Sequence, residues 1–310
     1  MKNGISFFFF SFPCKAACEI VFSIFSWYNR IHKESTRISG TQNRRASVPP
    51  HSDLPGGILL TDAVTLSYIN LYAILGSLPH LCELVPEAAE LVKGKPVSIG
   101  FQVKGGPSAT LCFSDGACVL REGVDDCDVL LPFSSPEKFN GLIDGTVTPV
   151  PKKGFTKIRF LLKNFTALTD LLTRYLRAGE ADLQDETFFT RSTTLMLYVI
   201  AGAISQIGNH DKIGRFSASN IPDGIICLAI QGGAAATIQV KNHVLATDPV
   251  PAADFTACME FADIHLARDL FDGKVNAVAC IGTGEIRMSG MISMLDNVNR
   301  ILDRVALYLA

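Results

Sequence analysis

The chain has 310 residues, 48% hydrophobic and 19% charged, long enough for two ordinary domains and apolar enough to bury a core in each, which excludes bulk disorder. The formal net charge of −2 hides an uneven split. Residues 1–50 carry seven bases against two acids, leaving 21 bases and 28 acids for the rest, and an acidic body argues against a nucleic-acid binder.

In chain order, the first segment is a basic arm. Its apolar run Phe7–Phe10 is broken by Pro13 and Lys15, and Glu19 precedes the next run, so nothing reaches the roughly 20 apolar residues of a spanning helix. Ala16-Ala17-Cys18 faintly resembles a lipoprotein cleavage site, but Lys15 stands where an aliphatic residue is expected. Residues 35–57, with Pro49-Pro50 and Pro55-Gly56-Gly57, read as linker. Residues 1–57 are therefore expected to be a disordered basic arm and linker.

The remainder repeats itself. Leu71-Tyr72-Ala73-Ile74-Leu75-Gly76 matches Leu197-Tyr198-Val199-Ile200-Ala201-Gly202, and Ile99 through Gly105-Gly106 matches Ile226 through Gly232-Gly233. Leu142-Ile143-Asp144-Gly145 matches Leu270-Phe271-Asp272-Gly273, and Lys157-Ile158-Arg159-Phe160 matches Glu285-Ile286-Arg287-Met288. Collinear blocks at nearly constant offset predict two tandem units, 58–182 and 183–310.

Each unit opens with a helix. In the second, Leu197, Ile200, Ala201, Ile204 and Ile207 follow helical spacing. A strand pair follows: Val97, Ile99, Phe101 and Val103 alternate, Gly105-Gly106 turns the chain, and Ala109, Leu111 and Phe113 alternate again. Ile226, Leu228, Ile230 and then Ala236, Ile238, Val240 repeat the pattern. A further strand is expected at 128–133 and 255–261, then a short helix closed by Gly145 or Gly273. A strand at 157–160 and 284–288 and an amphipathic helix complete each unit. The last helix carries Leu161, Phe165, Leu168, Leu172 and Tyr175 in the first unit, and Ile292, Leu295, Val298, Leu302 and Val305 in the second. This order is an α+β plan with helices on one face of a sheet.

Nine cysteines, an odd number with no C-x-x-C pair and several inside apolar runs, read as free thiols in a reducing, cytoplasmic setting. The six histidines are scattered, so no metal site is expected. No catalytic constellation emerges. Nucleophile-elbow, phosphate-loop and H-E-x-x-H patterns are missing, and Ile281-Gly282-Thr283-Gly284 lacks a third glycine and reads as a β-turn. Asp125, Asp126 and Asp128 read as a solvated turn, and His265 and Glu260 as solvent-facing. No enzyme activity, cofactor or metal is expected. The distinctive feature is large flexible apolar side chains late in each unit: Phe155, Phe160, Leu161 and Leu162, then Met288, Met291, Met294 and Leu295.

The stretches Phe261-Ala262-Asp263-Ile264, Leu270-Phe271-Asp272-Gly273-Lys274 and Gly284-Glu285-Ile286-Arg287-Met288-Ser289-Gly290 resemble the C-terminal half of a sterol carrier protein type 2 (SCP2 sterol-binding) domain. The resemblance covers about 217–310. The first unit is similar more loosely over about 90–178; it keeps Ile143-Asp144-Gly145 and Lys157-Ile158-Arg159, but has Leu161-Leu162 where the family has small residues. The resemblance implies two tandem sterol-carrier-like domains, the first degenerate. Each would hold a mainly antiparallel five-stranded sheet with helices on one face and an apolar tunnel for fatty acid, acyl-CoA or sterol and isoprenoid-like lipids. Pattern and resemblance together put Phe261, Ile264, Leu270, Ile286, Met288, Met291 and Leu295 on the tunnel wall of the second unit, and Phe133, Phe139, Phe160 and Phe165 on that of the first. The implied function is non-catalytic binding or carrying of a hydrophobic small molecule, with peripheral membrane contact and no nucleic acid. The alternative is a pseudo-dimeric interaction or accessory module with collapsed tunnels.

Overall fold

The first helix begins at a cap: Asp62 is extended, and its carboxylate accepts the N–H groups of Val64 and Thr65, donors that a first turn leaves open. Helix α1 then runs over residues 63–84. Its winding passes from α (Ala63–Tyr68) through π (Ile69–Ile74) and 3-10 (Leu75–Ser77) back to α (Leu78–Leu84). A computed structural model describes residues 61–309; the expected arm and linker over 1–57 lie outside the described residues.

After α2 (Pro86–Val92) come β1 (Val97–Val103), β2 (Ser108–Ser114), β3 (Ala117–Glu122) and β4 (Val129–Phe133), then α3 (Pro136–Ile143) and the helical segment α4 over residues 155–176. The second half runs α5 (Glu186–His210), α6 (Lys212–Ala218), β5 (Gly224–Ile230), β6 (Ala235–Lys241), β7 (Val244–Asp248) and β8 (Ala257–Phe261). It ends with α7 (Ile264–Phe271), α8 (Ala277–Thr283), β9 (Ile286–Gly290) and α9 (Ile292–Leu309). The sheets are ordered β3-β2-β1-β4 and β7-β6-β5-β8-β9.

Both sheets are mixed, so the mainly antiparallel expectation needs one amendment. The pairs β1–β4 and β5–β8 are parallel, with Ile99 opposite Val129 and Ile226 opposite Ala257. A parallel neighbour requires the chain to leave the hairpin and cross back over the sheet. Gly100 makes room for that crossing, since a Cβ there would lie 2.8 Å from Cys127 Sγ and 3.3 Å from Val124 Cβ. The edge strands β3 and β7 follow tight turns through Asp115-Gly116 and Asn242-His243, all four residues at positive φ, the geometry that two-residue hairpins favour.

The first sheet has four strands, a correction to the five expected. Where Glu285-Ile286-Arg287-Met288 enters β9, the repeat-equivalent Lys157-Ile158-Arg159-Phe160 lies in a helix. Two glycines account for the difference. Gly284 (φ +82) stops α8 and Gly290 (φ +77) turns β9 into α9, and the same repeat offset puts Thr156 and Leu162 at those positions. A β-branched or bulky residue is strained at such φ. Without the two stops, Ile158, Leu161, Phe165 and Leu168 continue a helical period upstream from Thr166. Beside β4 the chain makes only a short contact, Lys152 N–H to Leu130 O (2.8 Å) and Leu130 N–H to Lys153 O (3.2 Å). Gly284 also corrects the β-turn expected at 281–284, which is the end of a helix.

The two cores interlock. The core against the second sheet takes Ile69 and Ala73 from α1 together with Leu197, Ala201, Ile204 and Ile207 from α5. The core against the first sheet takes Leu71, Leu75, Leu78 and Leu81 from α1 and Phe188 and Leu195 from α5. The helices meet where a Cβ on Gly202 would lie 3.1 Å from Ala73 Cβ. Tyr68 stacks on His210 (centroids 3.5 Å apart) and His80 meets Tyr198 edge-on (5.1 Å) beside this crossing.

Two buried charged groups tie elements together. Arg268 donates to Asp272 (3.0 Å) and to Ser192 Oγ (2.8 Å), and Ser192 donates to the Tyr175 carbonyl, linking α7, α5 and α4. Arg304 and Tyr308 of α9 both donate to Asp211 (2.8 Å each), and the Asp62 N–H donates to Tyr308 (2.9 Å). Burial pushes the Asp211 carboxyl upward, but hydrogen bonds from Arg304, the Gly214 N–H and Tyr308 outweigh it and hold the group below the usual range.

Two outcomes follow. Gly202→Leu overpacks the crossing and lowers stability by about 1–3 kcal/mol in urea unfolding. Arg304→Leu strands the Asp211 charge and costs about 3–5 kcal/mol by the same measurement.

Candidate functional site

Six of the seven expected wall residues of the second unit lie in or against its core; Met291 does not. β8 ends at Phe261, and Asp263 caps α7 by accepting the Leu266 N–H (2.8 Å). α7 is amphipathic, with Ala267, Arg268 and Leu270 buried, and Gly273 (φ +75) follows its end. Asn276 caps α8 through the Ala279 N–H (3.1 Å), and Gly284 delivers the chain into β9, where Met288 stands opposite Met259.

Phe261, Leu270, Ile286 and Leu295 are buried in the second core, and Ile264 and Met288 are half-buried against it. Met291 is 44% exposed at the start of α9. Four residues not singled out as wall residues, Leu266, Phe271, Val275 and Ile281, are also half-buried against this core. The Phe271 ring meets Phe261 edge-on at 5.9 Å. The doublet Leu270-Phe271 before Asp-Gly marks Phe271 in the sequence; Val275 lies in the bend before α8 and Ile281 on α8, a helix with no sequence signal at 281–284 beyond the expected turn.

In the first unit Phe133, Phe139 and Phe160 are buried in the first core, with Phe165 half-buried against it. Phe101 and Phe113, read from the sequence only as strand residues, join them. Phe101 lies 6.1 Å from both Phe139 and Phe165, Phe113 lies 5.5 Å from Phe160, and Phe133 lies 5.1 Å from Phe139. The spacing and tilt are those of well-packed aromatic pairs. These six rings pack against one another in the first core.

The polar groups at the second-unit corner are held in structural roles. Burial, with Glu285 alongside, pushes the Cys280 thiol up, which keeps it protonated and a poor nucleophile near neutrality. Thr283 donates to Glu285 (2.7 Å). His265 is exposed, packs near Phe189 (4.7 Å) and lies 3.9 Å from Glu186. Glu260 lies 3.9 Å from Arg287 across the strand pair. Asp128 accepts from Ser98 N–H (2.8 Å) and Oγ (3.0 Å), pinning the turn before β4. The seven described cysteines are unpaired.

Two surface grooves lie on the first unit. One, of about 340 Å³, is lined by α1, α2 and the β2–β3 turn. The other, of about 450 Å³, lies between the α2–β1 loop and α4, with Phe160 at its edge.

No family model matches the chain, and no curated protein matches it significantly. Similar solved structures include a UbiJ-SCP2 ubiquinone synthesis protein, 16% identical, covering 35% of this chain and 95% of that one at a TM-score of 0.26. A crystal structure of sterol carrier protein 2 is 19% identical over 34% of this chain and 92% of its own, TM-score 0.28. The apo form of sterol carrier protein 2 from Yarrowia lipolytica is 19% identical over 33% and 92%, TM-score 0.25. Each is nearly fully covered, while about a third of this chain is.

One carboxyl on α9 titrates in the neutral range. Burial pushes Asp303 up to about 7, with Arg300 opposing. An acid whose folded pKa is raised favours the folded state while protonated, so that contribution is present at low pH and lost as pH rises from about 4 through about 7. Asp303→Asn therefore raises the melting temperature at pH 8 and changes it little at pH 4, as scanning calorimetry at the two pH values would show.

Proposed function

We propose that this protein is a non-catalytic, cytoplasmic binder or carrier of lipids, and that the second unit holds the ligand. The observation that carries the reading is a set of half-buried apolar side chains, Ile264, Leu266, Phe271, Val275, Ile281 and Met288, packed against the buried core of the second unit. Such side chains can part around an acyl chain and close again, and methionine suits this because its unbranched thioether adapts its shape. Burying a chain stabilises the complex by about 0.8 kcal/mol per methylene, so affinity follows chain length more than head group. The resemblance of 261–290 to sterol carrier domains points to the same ligand class: fatty acid, acyl-CoA or an isoprenoid-like lipid.

The two units read as tandem copies of one module. Supporting this are the collinear sequence blocks, the shared order of four strands, and parallel pairs whose registers differ by the repeat offset. The six-ring packing of the first unit favours the collapsed, accessory reading for that half alone.

Native purification, solvent extraction and mass spectrometry test the proposal. One lipid equivalent per chain is expected. Met288→Asp abolishes uptake of a fluorescent fatty acid while far-UV circular dichroism stays unchanged. A folded wild-type protein that neither carries nor takes up lipid would leave the interaction-module reading standing.

A further inference from the structure

The segment that fails to form a fifth strand in the first unit leaves an unusual surface. On α4, Phe155, Ile158 and Leu162 are 63, 41 and 63% exposed, and Val150 just upstream is 72% exposed. Large apolar side chains one turn apart on a helix are ordinarily turned inward; here Phe160 and Leu168 fill that role, and a second apolar row faces out. Bases are interleaved with it. Lys152, Lys153, Arg159 and Lys163 are exposed and Lys157 half-buried, and residues 145–169 contain no acid. Lys157, Arg159 and Lys163 meet Lys95 around the groove of about 450 Å³ beside the α2–β1 loop. The nearby Asp128 stays ionised: hydrogen bonds from Ser98 (2.8 and 3.0 Å), with Lys157 and Lys153 alongside, hold its carboxyl below the usual range, so it offsets part of this positive charge.

We propose that the exposed face of α4, with the basic groove beside it, docks this protein onto an anionic lipid bilayer. The exposed rings and aliphatics enter the headgroup–acyl boundary, while the four bases around the groove receive lipid phosphates and carboxylates. A soluble phosphate would use the groove but has no need of Phe155 and Leu162. A nucleic acid is disfavoured by the acidic charge of the body. An anionic bilayer offers a counterpart to both features, apolar chains for the exposed side chains and charged headgroups for the bases. The inference is independent of the ligand assignment, because α4 belongs to the first unit while the ligand is assigned to the second, and it would stand if no lipid were found inside.

The test uses the full chain and sedimentation with vesicles of phosphatidylcholine, alone or with a third phosphatidylserine. Wild type binds the anionic vesicles, weakens with added salt and binds the neutral ones poorly. Combined K157E, R159E and K163E lowers partitioning at least about tenfold, and combined F155S and L162S lowers it comparably, with thermal midpoints unchanged. Hydrogen exchange over 155–165 in the wild type slows when anionic vesicles are added, a readout that needs no variant. Charge-reversed protein that sediments like wild type would place the binding elsewhere, for instance in the basic arm, and overturn the proposal. So would unaltered exchange over 155–165, or a polyanion such as heparin competing fully while F155S and L162S have no effect.

Discussion

The architecture depends on one close approach, where α1 and α5 cross with Gly202 lying against Ala73. Side chains usually hold packed helices about 8–10 Å apart, and small residues let the backbones come nearer. At that distance each helix has two faces within reach of apolar partners, and both are used: alternate stretches of α1 and of α5 enter the first core and the second. Within the π stretch of α1, Ile69 and Ala73 enter the second core while Leu71 enters the first. By length and composition α5 is apolar enough to cross a membrane, but 56% of its most apolar window is buried within the protein. Its hydrophobicity serves two cores at once.

The buried polar groups reinforce that coupling. Arg268 reaches Ser192 and, through it, the end of α4; Asp211 collects Arg304 and Tyr308, and Tyr308 accepts from the start of α1. Such groups contribute little net energy when complete, since desolvation offsets their attraction, but they are costly to break. They select one docking of the helices over others.

The two halves diverge through a small change with large consequences. Gly284 and Gly290 permit β9, which brings Ile286 into the second core and Met288 against it. With Thr156 and Leu162 in their places, the first half extends α4 instead, packs phenylalanine rings in its core and turns Phe155, Ile158 and Leu162 outward. A core-lining strand and a basic, apolar-studded helix are thus alternative results of one segment. In a lipid carrier they would serve complementary tasks, holding the cargo and meeting the membrane.

Much of this was legible in the chain itself. Alternation marked β1, β2, β5 and β6, and helical spacing marked α5 and α9, because those periods follow from backbone geometry. The repeat offset anticipated the shared strand order, and Asp-Gly marked the ends of α3 and α7. The edge strands β3 and β7 were harder to see, since their outer residues are mostly exposed and lack an apolar alternation. The helix at 155–165 is hidden in the sequence because Lys157-Ile158-Arg159-Phe160 looks like its repeat partner; the missing glycines and the preceding Pro149-Val150-Pro151-Lys152-Lys153 stretch distinguish them. Sequence alone determined which residues are apolar and where the chain can turn, properties set locally by side chain and φ. Which core each face of α1 and α5 would enter, that six phenylalanines would meet, and that Phe155 and Leu162 would be left outside were decided by the tertiary structure, because burial depends on what the rest of the chain brings alongside.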